Sequence, residues 1–275
     1  MRQIIWLLSL LFLILLIQFS IAWPDGRLRY IQCDVGQGDA VLITKNFQQI
    51  LIDAGPNDKV VTCLQNYLPF WDKKIELAIA SHADKDHIGG FDEMLDSYQI
   101  KTFIWNGKDN QDKTWQQLLQ KLQHSKVPMR LSSQLDTVHI GDEVLTLLWP
   151  TGDVSNVPDN EASVVAKLQY GSFTVLLTGD IPVKIEKQLT QMYGKQLRSI
   201  VLKVSHHGSK TASSPEFLTE VEPMIATIGV GKNSYGHPTM QTLQNLTQIG
   251  TTIRRTDQNG DIVVASDGKS WKLEN

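Results

Sequence analysis

Apolar and polar positions follow two patterns along this chain. Short apolar runs at residues 28–33, 40–44, 49–53, 77–80, 101–105, 144–149, 163–170, 172–177, 200–204, 225–230, 252–255 and 261–265 predict strands. Apolar residues recurring every three or four positions predict helices over 60–68, 91–98, 115–122, 181–192 and 239–249, with Pro182 suited to a first helical turn. Residues 125–134 read as a loop. Many of the strands run into a polar, glycine-containing tip that bears His or Asp, at 34–39, 53–56, 81–90, 178–180, 205–209 and 231–238. Strands interleaved with helices predict an α/β layered domain, and chemistry at successive strand ends predicts one site built along one edge.

The first 23 residues break this pattern. From Ile4 to Trp23 there is no charge, and the polar residues are few: Ser9, Gln18 and Ser20. About twenty residues at roughly 1.5 Å each suffice for a membrane-spanning helix. Ser20-Ile21-Ala22 would suit a signal peptidase, whereas the apolar length and an interfacial Trp23 favour retention. The expectation is an uncleaved anchor at residues 1–23, in the membrane through residues 4–23, with residues 24–275 outside the cytoplasm. If the segment is cut, the domain is secreted.

The densest chemistry lies in Ser81-His82-Ala83-Asp84-Lys85-Asp86-His87-Ile88-Gly89-Gly90, directly after the strand at 77–80. His82, Asp84, Asp86 and His87 fall within six residues of a strand-to-helix turn, where side chains can converge on one ion without straining regular structure. A solvated polar turn is the alternative, since Asp, His and Gly are all loop residues. Two imidazoles with two carboxylates nevertheless form a ligand set for a hard or borderline divalent ion.

Charge narrows the partners. The chain has 26 basic and 29 acidic residues, a formal net charge of −3, so it is not a polycationic nucleic-acid binder. If it acts on a polyanion, metal ions and a few local bases must provide the attraction. The two cysteines, Cys33 and Cys63, match no zinc-cluster spacing and read as free core thiols, although a disulfide is allowed outside the cytoplasm.

Taken together and in order, Asp34-Val35-Gly36-Gln37-Gly38-Asp39, Leu51-Ile52-Asp53-Ala54-Gly55, the histidine cluster, Leu176-Leu177-Thr178-Gly179-Asp180, Val204-Ser205-His206-His207-Gly208-Ser209 and Asn233-Ser234-Tyr235-Gly236-His237-Pro238 resemble the metallo-β-lactamase superfamily. More narrowly they resemble the soluble domain of ComEC-type competence proteins. The resemblance implies a four-layer αββα sandwich over 24–275 with a dinuclear metal site at one edge. Two departures matter. Asp84 replaces the second His of the usual H-x-H-x-D-H cluster, as is common in the ComEC-like branch, and the superfamily's next histidine falls at Asn160. Both argue against a β-lactamase. The many-helix channel that usually accompanies this domain is also missing from the chain, which has room for one span.

Carried over residue by residue, the resemblance implies that His82, Asp84 and Asp180 hold one ion and Asp86, His87, Asp180 and His207 the other, with Asp180 bridging. His207 is preferred to His206 because it immediately precedes the glycine. Asp53 is expected to orient the ligands, and His206 or His237 to protonate a leaving alkoxide. Gln37, Asp39, Ser209, Lys210, Asn233, Ser234 and Tyr235 are candidates for phosphate or sugar contact. A carboxylate-rich ligand set points to manganese first and zinc second. The function expected is hydrolysis of a phosphodiester by a two-metal-activated water. The substrate implied is DNA, handled during uptake alongside a channel. An envelope phosphodiester such as a phosphocholine ester and a non-catalytic envelope adaptor are the competing readings.

Overall fold

The apolar runs pair into two large sheets in a computed structural model that describes residues 4, 6–10, 12, 23–132 and 137–274. In the first half of the chain the strands are β1 (Leu28–Gln32), β2 (Val41–Lys45), β3 (Gln48–Ile52), β4 (Lys74–Ile75), β5 (Leu77–Ile79), β6 (Gln99–Ile100), β7 (Phe103–Trp105) and β8 (Met129–Leu131). The second half adds β9 (Thr137–Ile140), β10 (Glu143–Trp149), β11 (Val165–Tyr170), β12 (Phe173–Leu177), β13 (Val201–Lys203), β14 (Ile225–Ile228), β15 (Thr252–Arg255), β16 (Ile262–Ser266) and β17 (Trp271–Leu273). One sheet has the order β17-β16-β1-β2-β3-β5-β7-β8 and the other β15-β14-β13-β12-β11-β10-β9, while β4 and β6 form a small parallel pair.

Central strands such as β2, β14 and β16 bury both faces, which is why their sequences read as continuous apolar runs and do not alternate. In β2 and β3, Ile43 and Ile50 face the other sheet and meet a core containing Leu168, Val175 and Val201. Their neighbours Leu42 and Leu51 face outward onto a second core with Leu64, Met94, Trp115 and Leu118 from the covering helices. A third core packs Leu176, Leu202 and Ala226 against Ile185, Leu189, Phe217 and Leu246. Three cores between two sheets and two helical layers make the four-layer α/β architecture that the family resemblance implies. The helix Lys113–His124 illustrates the local logic: the Asp112 carboxylate accepts the Thr114 N–H at 2.7 Å, and Trp115, Leu118 and Leu122 form the buried stripe. Truncating the buried Trp115 to alanine would cost about 3–5 kcal/mol.

Two expectations meet a different outcome, and a third falls mostly outside the described residues. Cys33 and Cys63 are joined in a disulfide with Cα atoms 5.9 Å apart, so they are not free thiols. Cys33 follows β1 and Cys63 lies in the helix Lys59–Tyr67 packed beneath it, an adjacency that sequence spacing does not reveal. The loop expected at 125–134 contains β8, whose three residues are too few to show a period. The anchor segment lies largely outside the described residues, and among the described residues no helix is long and apolar enough to cross a membrane.

Strand direction positions everything else. β1, β3 and β5 run the same way, and β3, β5 and β7 are parallel neighbours, as are β12, β13 and β14. Their C-terminal ends form one edge, which carries the polar tips.

Candidate metal centre

Five strands deliver the site: β3 ends at Asp53, β5 at Ser81 to His87, β12 at Asp180, β13 at His206 and His207, and β14 at the loop containing His237. The backbone is forced there. Asp53, His206 and His207 sit in the left-handed region at φ 58°, 51° and 52°, a conformation that costs a non-glycine residue free energy and collects at functional sites. Gly38, at φ 140°, passes so close to the histidine cluster that a Cβ would overlap the Asp86 carbonyl oxygen, which instead accepts the Asp39 N–H at 3.1 Å. That contact explains Gly38, and Gly36 in the same turn adopts φ 84°.

Three imidazoles are aimed by their Nδ1 atoms. His82 Nδ1 lies 2.9 Å from the Ser81 hydroxyl, His87 Nδ1 2.8 Å from Asp53 Oδ2, and His207 Nδ1 2.8 Å from the Gly229 carbonyl. Asp53 is itself fixed by the Ser81 N–H and hydroxyl, both at 2.7 Å. The three Nε2 atoms therefore point inward together. Each is buried without a hydrogen-bond partner. Carboxylate oxygens nevertheless crowd them: His87 Nε2 is 3.3 Å from Asp180 Oδ2, His207 Nε2 3.5 Å from the same oxygen and 3.3 Å from Asp86, and His82 Nε2 3.4 Å from Asp84. Lone pairs and anionic oxygens converging out of hydrogen-bond line are a ligand set for divalent cations, with their outer partners in place.

Asp180 divides its two oxygens. Oδ2 faces His87, His207 and, at 4.0 Å, His206, whereas Oδ1 faces Lys203 Nζ at 3.4 Å. Lys203 is buried, donates to the Gly179 carbonyl at 2.8 Å and forms an ion pair with Asp39. Burial alone would lower the Lys203 pKa, but Asp39 and Asp180 outweigh it and keep the ammonium charged. Asp39, His87, Asp180 and His207 bring ligand atoms within 4.8 Å of one another. Lys203 pairs with Asp39, which faces the Nδ1 side of His207 at 3.4 Å, while Asp86 lies 3.3 Å from His207 Nε2 on the other side of the ring.

Electrostatics follow from this crowding. Burial would raise the Asp180 pKa, yet His87, His207 and Lys203 hold it well below the carboxylate range. His87 and His207 would be lowered by burial, but Asp180 with Asp53 for the first and Asp180 with Asp39 for the second raise both. Burial lowers His206 and His237, so each begins neutral at neutral pH. That weakens the expectation of an imidazolium acid and leaves each a single N–H to donate.

The remaining sequence candidates separate. Lys210, Ser234 and Tyr235 are exposed. Asn233 is spent on its own loop, donating to the Gly231 and His237 carbonyls and accepting from the Tyr235 and His237 N–H groups. Ser209 is buried against the Thr211 hydroxyl at 3.0 Å, and Gln37 accepts the Gly231 N–H at 3.3 Å. Asp39 is buried and paired with Lys203. Asn160 lies beside His206, Nδ2 to Nδ1 3.5 Å, at the open side. Lys203 went unnoticed in the sequence, although a lysine inside the apolar run 200–204 was its signal.

Residues 33–231 match the family model described as Metallo-beta-lactamase superfamily. The chain is 29% identical over 258 residues to ComE operon protein 3 of Bacillus subtilis (strain 168), covering 83% of this chain and 32% of that protein. It is likewise 29% identical over 244 residues to Competence protein ComA of Neisseria gonorrhoeae, covering 87% of this chain and 32% of the relative. The chain thus spans about a third of these relatives. Among solved structures, the metallo-beta-lactamase fold protein YhfI from Bacillus subtilis superposes with a TM-score of 0.57 at 14% identity, covering 87% of this chain and all of that one.

Proposed function

The chain belongs to the metallo-β-lactamase superfamily, and from that premise we propose that it is a metal-dependent phosphodiester hydrolase, a DNA nuclease held at the outer side of the membrane and serving DNA uptake beside a channel. The observation that carries this reading is the set of three buried, unpartnered imidazole nitrogens crowded by Asp84, Asp86 and Asp180. The Cys33–Cys63 disulfide suits an oxidising compartment, and competence proteins are among the relatives. The uncharged segment 4–23 is read as the anchor.

His82, Asp84 and Asp180 would hold one ion, and Asp86, His87, His207 and Asp180 the other. Such ions supply Lewis acidity towards a phosphodiester and lower the pKa of water. The protein's own contribution is orientation. Ser81, Asp53 and Gly229 fix the three rings, and Lys203 holds the inner oxygen of Asp180. His206 and His237, 5.5 Å apart by ring centroid, present neutral N–H groups at the rim. Exposed Lys210, Lys232 and Tyr235 offer charge and a stacking face to a nucleic-acid strand. Three carboxylates against three imidazoles favour manganese over zinc.

The test loads the full chain with manganese or zinc and compares turnover of single-stranded DNA, bis-p-nitrophenyl phosphate and a phosphocholine ester. DNA cleavage that disappears in His87→Ala supports the nuclease. Turnover confined to the small esters moves the assignment to an envelope phosphodiester. Full metal loading without turnover of any of them leaves a non-catalytic adaptor.

A further inference from the structure

The end of the first sheet opposite the metal centre carries its own pattern. Trp23 precedes β1, Phe47 occupies the β2–β3 turn, and Phe70 and Trp71 follow the helix Lys59–Tyr67 on the way to β4 and β5. Because β1, β3 and β5 all run from this end towards the metal centre, all four aromatics lie at the far edge. Phe70 is 75% exposed, Trp23 53% and Phe47 37%. Trp23 packs edge-on against Phe47 at 5.2 Å, Phe70 likewise against Trp71 at 4.7 Å, and Trp23 and Phe70 share one cleft. The charges in that cleft are matched: Arg29 forms a double hydrogen bond to Asp25 at 2.9 and 2.7 Å, and Arg27 and Arg29 both reach Glu274. What remains outward is three uncharged polar side chains, Asn46, Gln65 and Asn66, and the aromatic rings.

The apolar segment 4–22 reaches the domain at this edge, through Trp23. Where it is described it is helical, and the domain leaves it uncovered, with Leu7 66% and Leu10 55% exposed. A bilayer that takes up segment 4–22 would lie next to Trp23 in the chain, and Trp23 shares its edge with Phe47 and Phe70. Tryptophan and other aromatic side chains with an apolar body favour the boundary between headgroups and acyl chains. We infer that this edge is a bilayer-docking surface, seated at the lipid headgroup boundary, which holds the metal centre pointing away from the membrane. The inference rests on the anchored reading proposed above and adds an orientation to it. Strands of five residues at about 3.3 Å each set the metal centre at least roughly 17 Å from the docked edge, so a polymeric substrate would be engaged clear of the lipid.

The test uses the full chain in vesicles of phosphatidylethanolamine and phosphatidylglycerol, with the photo-crosslinker p-benzoylphenylalanine replacing Leu10, Phe47, Phe70 or Tyr235 one at a time. Lipid adducts are read by mass spectrometry. Docking predicts adducts at positions 10, 47 and 70, with on the order of tenfold more at 70 than at 235, as for side chains seated in the headgroup boundary against one held in water. Adducts at 10 with none above the level of 235 at positions 47 and 70 would overturn the docking while leaving the anchor standing. Equal yields at 70 and 235 would overturn the orientation. Absence of adducts at position 10, with the chain lost from the vesicles on alkaline washing, would remove the anchor and the docking together.

Discussion

In the proposed two-ion reading the halves of the centre share Asp180 but are braced differently. On one side two imidazoles, His87 and His207, are buried, one braced by a carboxylate and the other by a backbone carbonyl, and Asp86, its side chain 36% exposed, completes the set. On the other, His82 is just as buried but is the single aimed imidazole, its brace is a hydroxyl, Asp84 is 45% exposed, and Asn160 beside His206 stands where the superfamily pattern has a further histidine. A closed pocket keeps its ligands in place before an ion arrives, whereas an open one must order them on binding. The difference teaches that one ion should be resident and the other exchangeable.

The sharpest way to break the comparison is to remove what the halves share. Asp180→Ala deletes the oxygen facing three imidazoles and strands Lys203 with half its counter-charge. Turnover should fall on the order of 1,000-fold, with both ions lost in metal analysis. Loss of one ion alone would mean that Asp180 does not bridge. Next in size, Asp53→Asn keeps the shape but weakens the brace on His87, and should lower ion affinity in the closed pocket by about 10–100-fold. Metal titration would read it, and an unchanged tight-binding phase would show that His87 needs no brace.

The layers were legible in the sequence because strands buried on both faces leave unbroken apolar runs, and the site because Asp53, Asp180 and the histidines stand at the ends of those runs. Less visible were features that depend on distant packing. Cys33 and Cys63 meet because a helix lies under β1, and Asp39 turns inward because Lys203 waits there. Asn233 looked like a substrate contact but is consumed by its own loop, since a short Asx turn and a binding loop use the same residues.

A smaller effect should appear with pH. In the ion-free protein His87 and His207 have raised pKa values, because neighbouring carboxylates outweigh burial. A raised folded-state value means that the protonated rings contribute stability fully below about pH 6.5, the ordinary imidazole value, and lose it as pH rises through the folded value. An ion must displace those protons. Affinity in the closed pocket should therefore climb with pH above 6.5, by up to about tenfold per unit for each proton displaced. Calorimetry in buffers of different ionisation enthalpy would count the protons, and a flat profile would place the imidazoles outside the coordination sphere.

The gentlest perturbation sharpens the contrast from the open side. Asn160 begins a short 3-10 helix and lies against His206, whose Nε2 is 4.0 Å from the shared Asp180 oxygen. Its amide is a weak oxygen donor, which leaves the open side richer in carboxylate than in nitrogen. Asn160→His would add an imidazole there, and imidazole suits zinc better than manganese. The expected result is a shift of a few-fold in the zinc-to-manganese preference of the weaker site, with the tighter site unmoved, because nothing bracing His87 or His207 is touched. Competition between the two metals, followed by metal analysis, measures this directly. If the preference of the tighter site moved instead, Asn160 would belong to the closed half, and the division of labour drawn from Asp53 and Ser81 would have to be reversed.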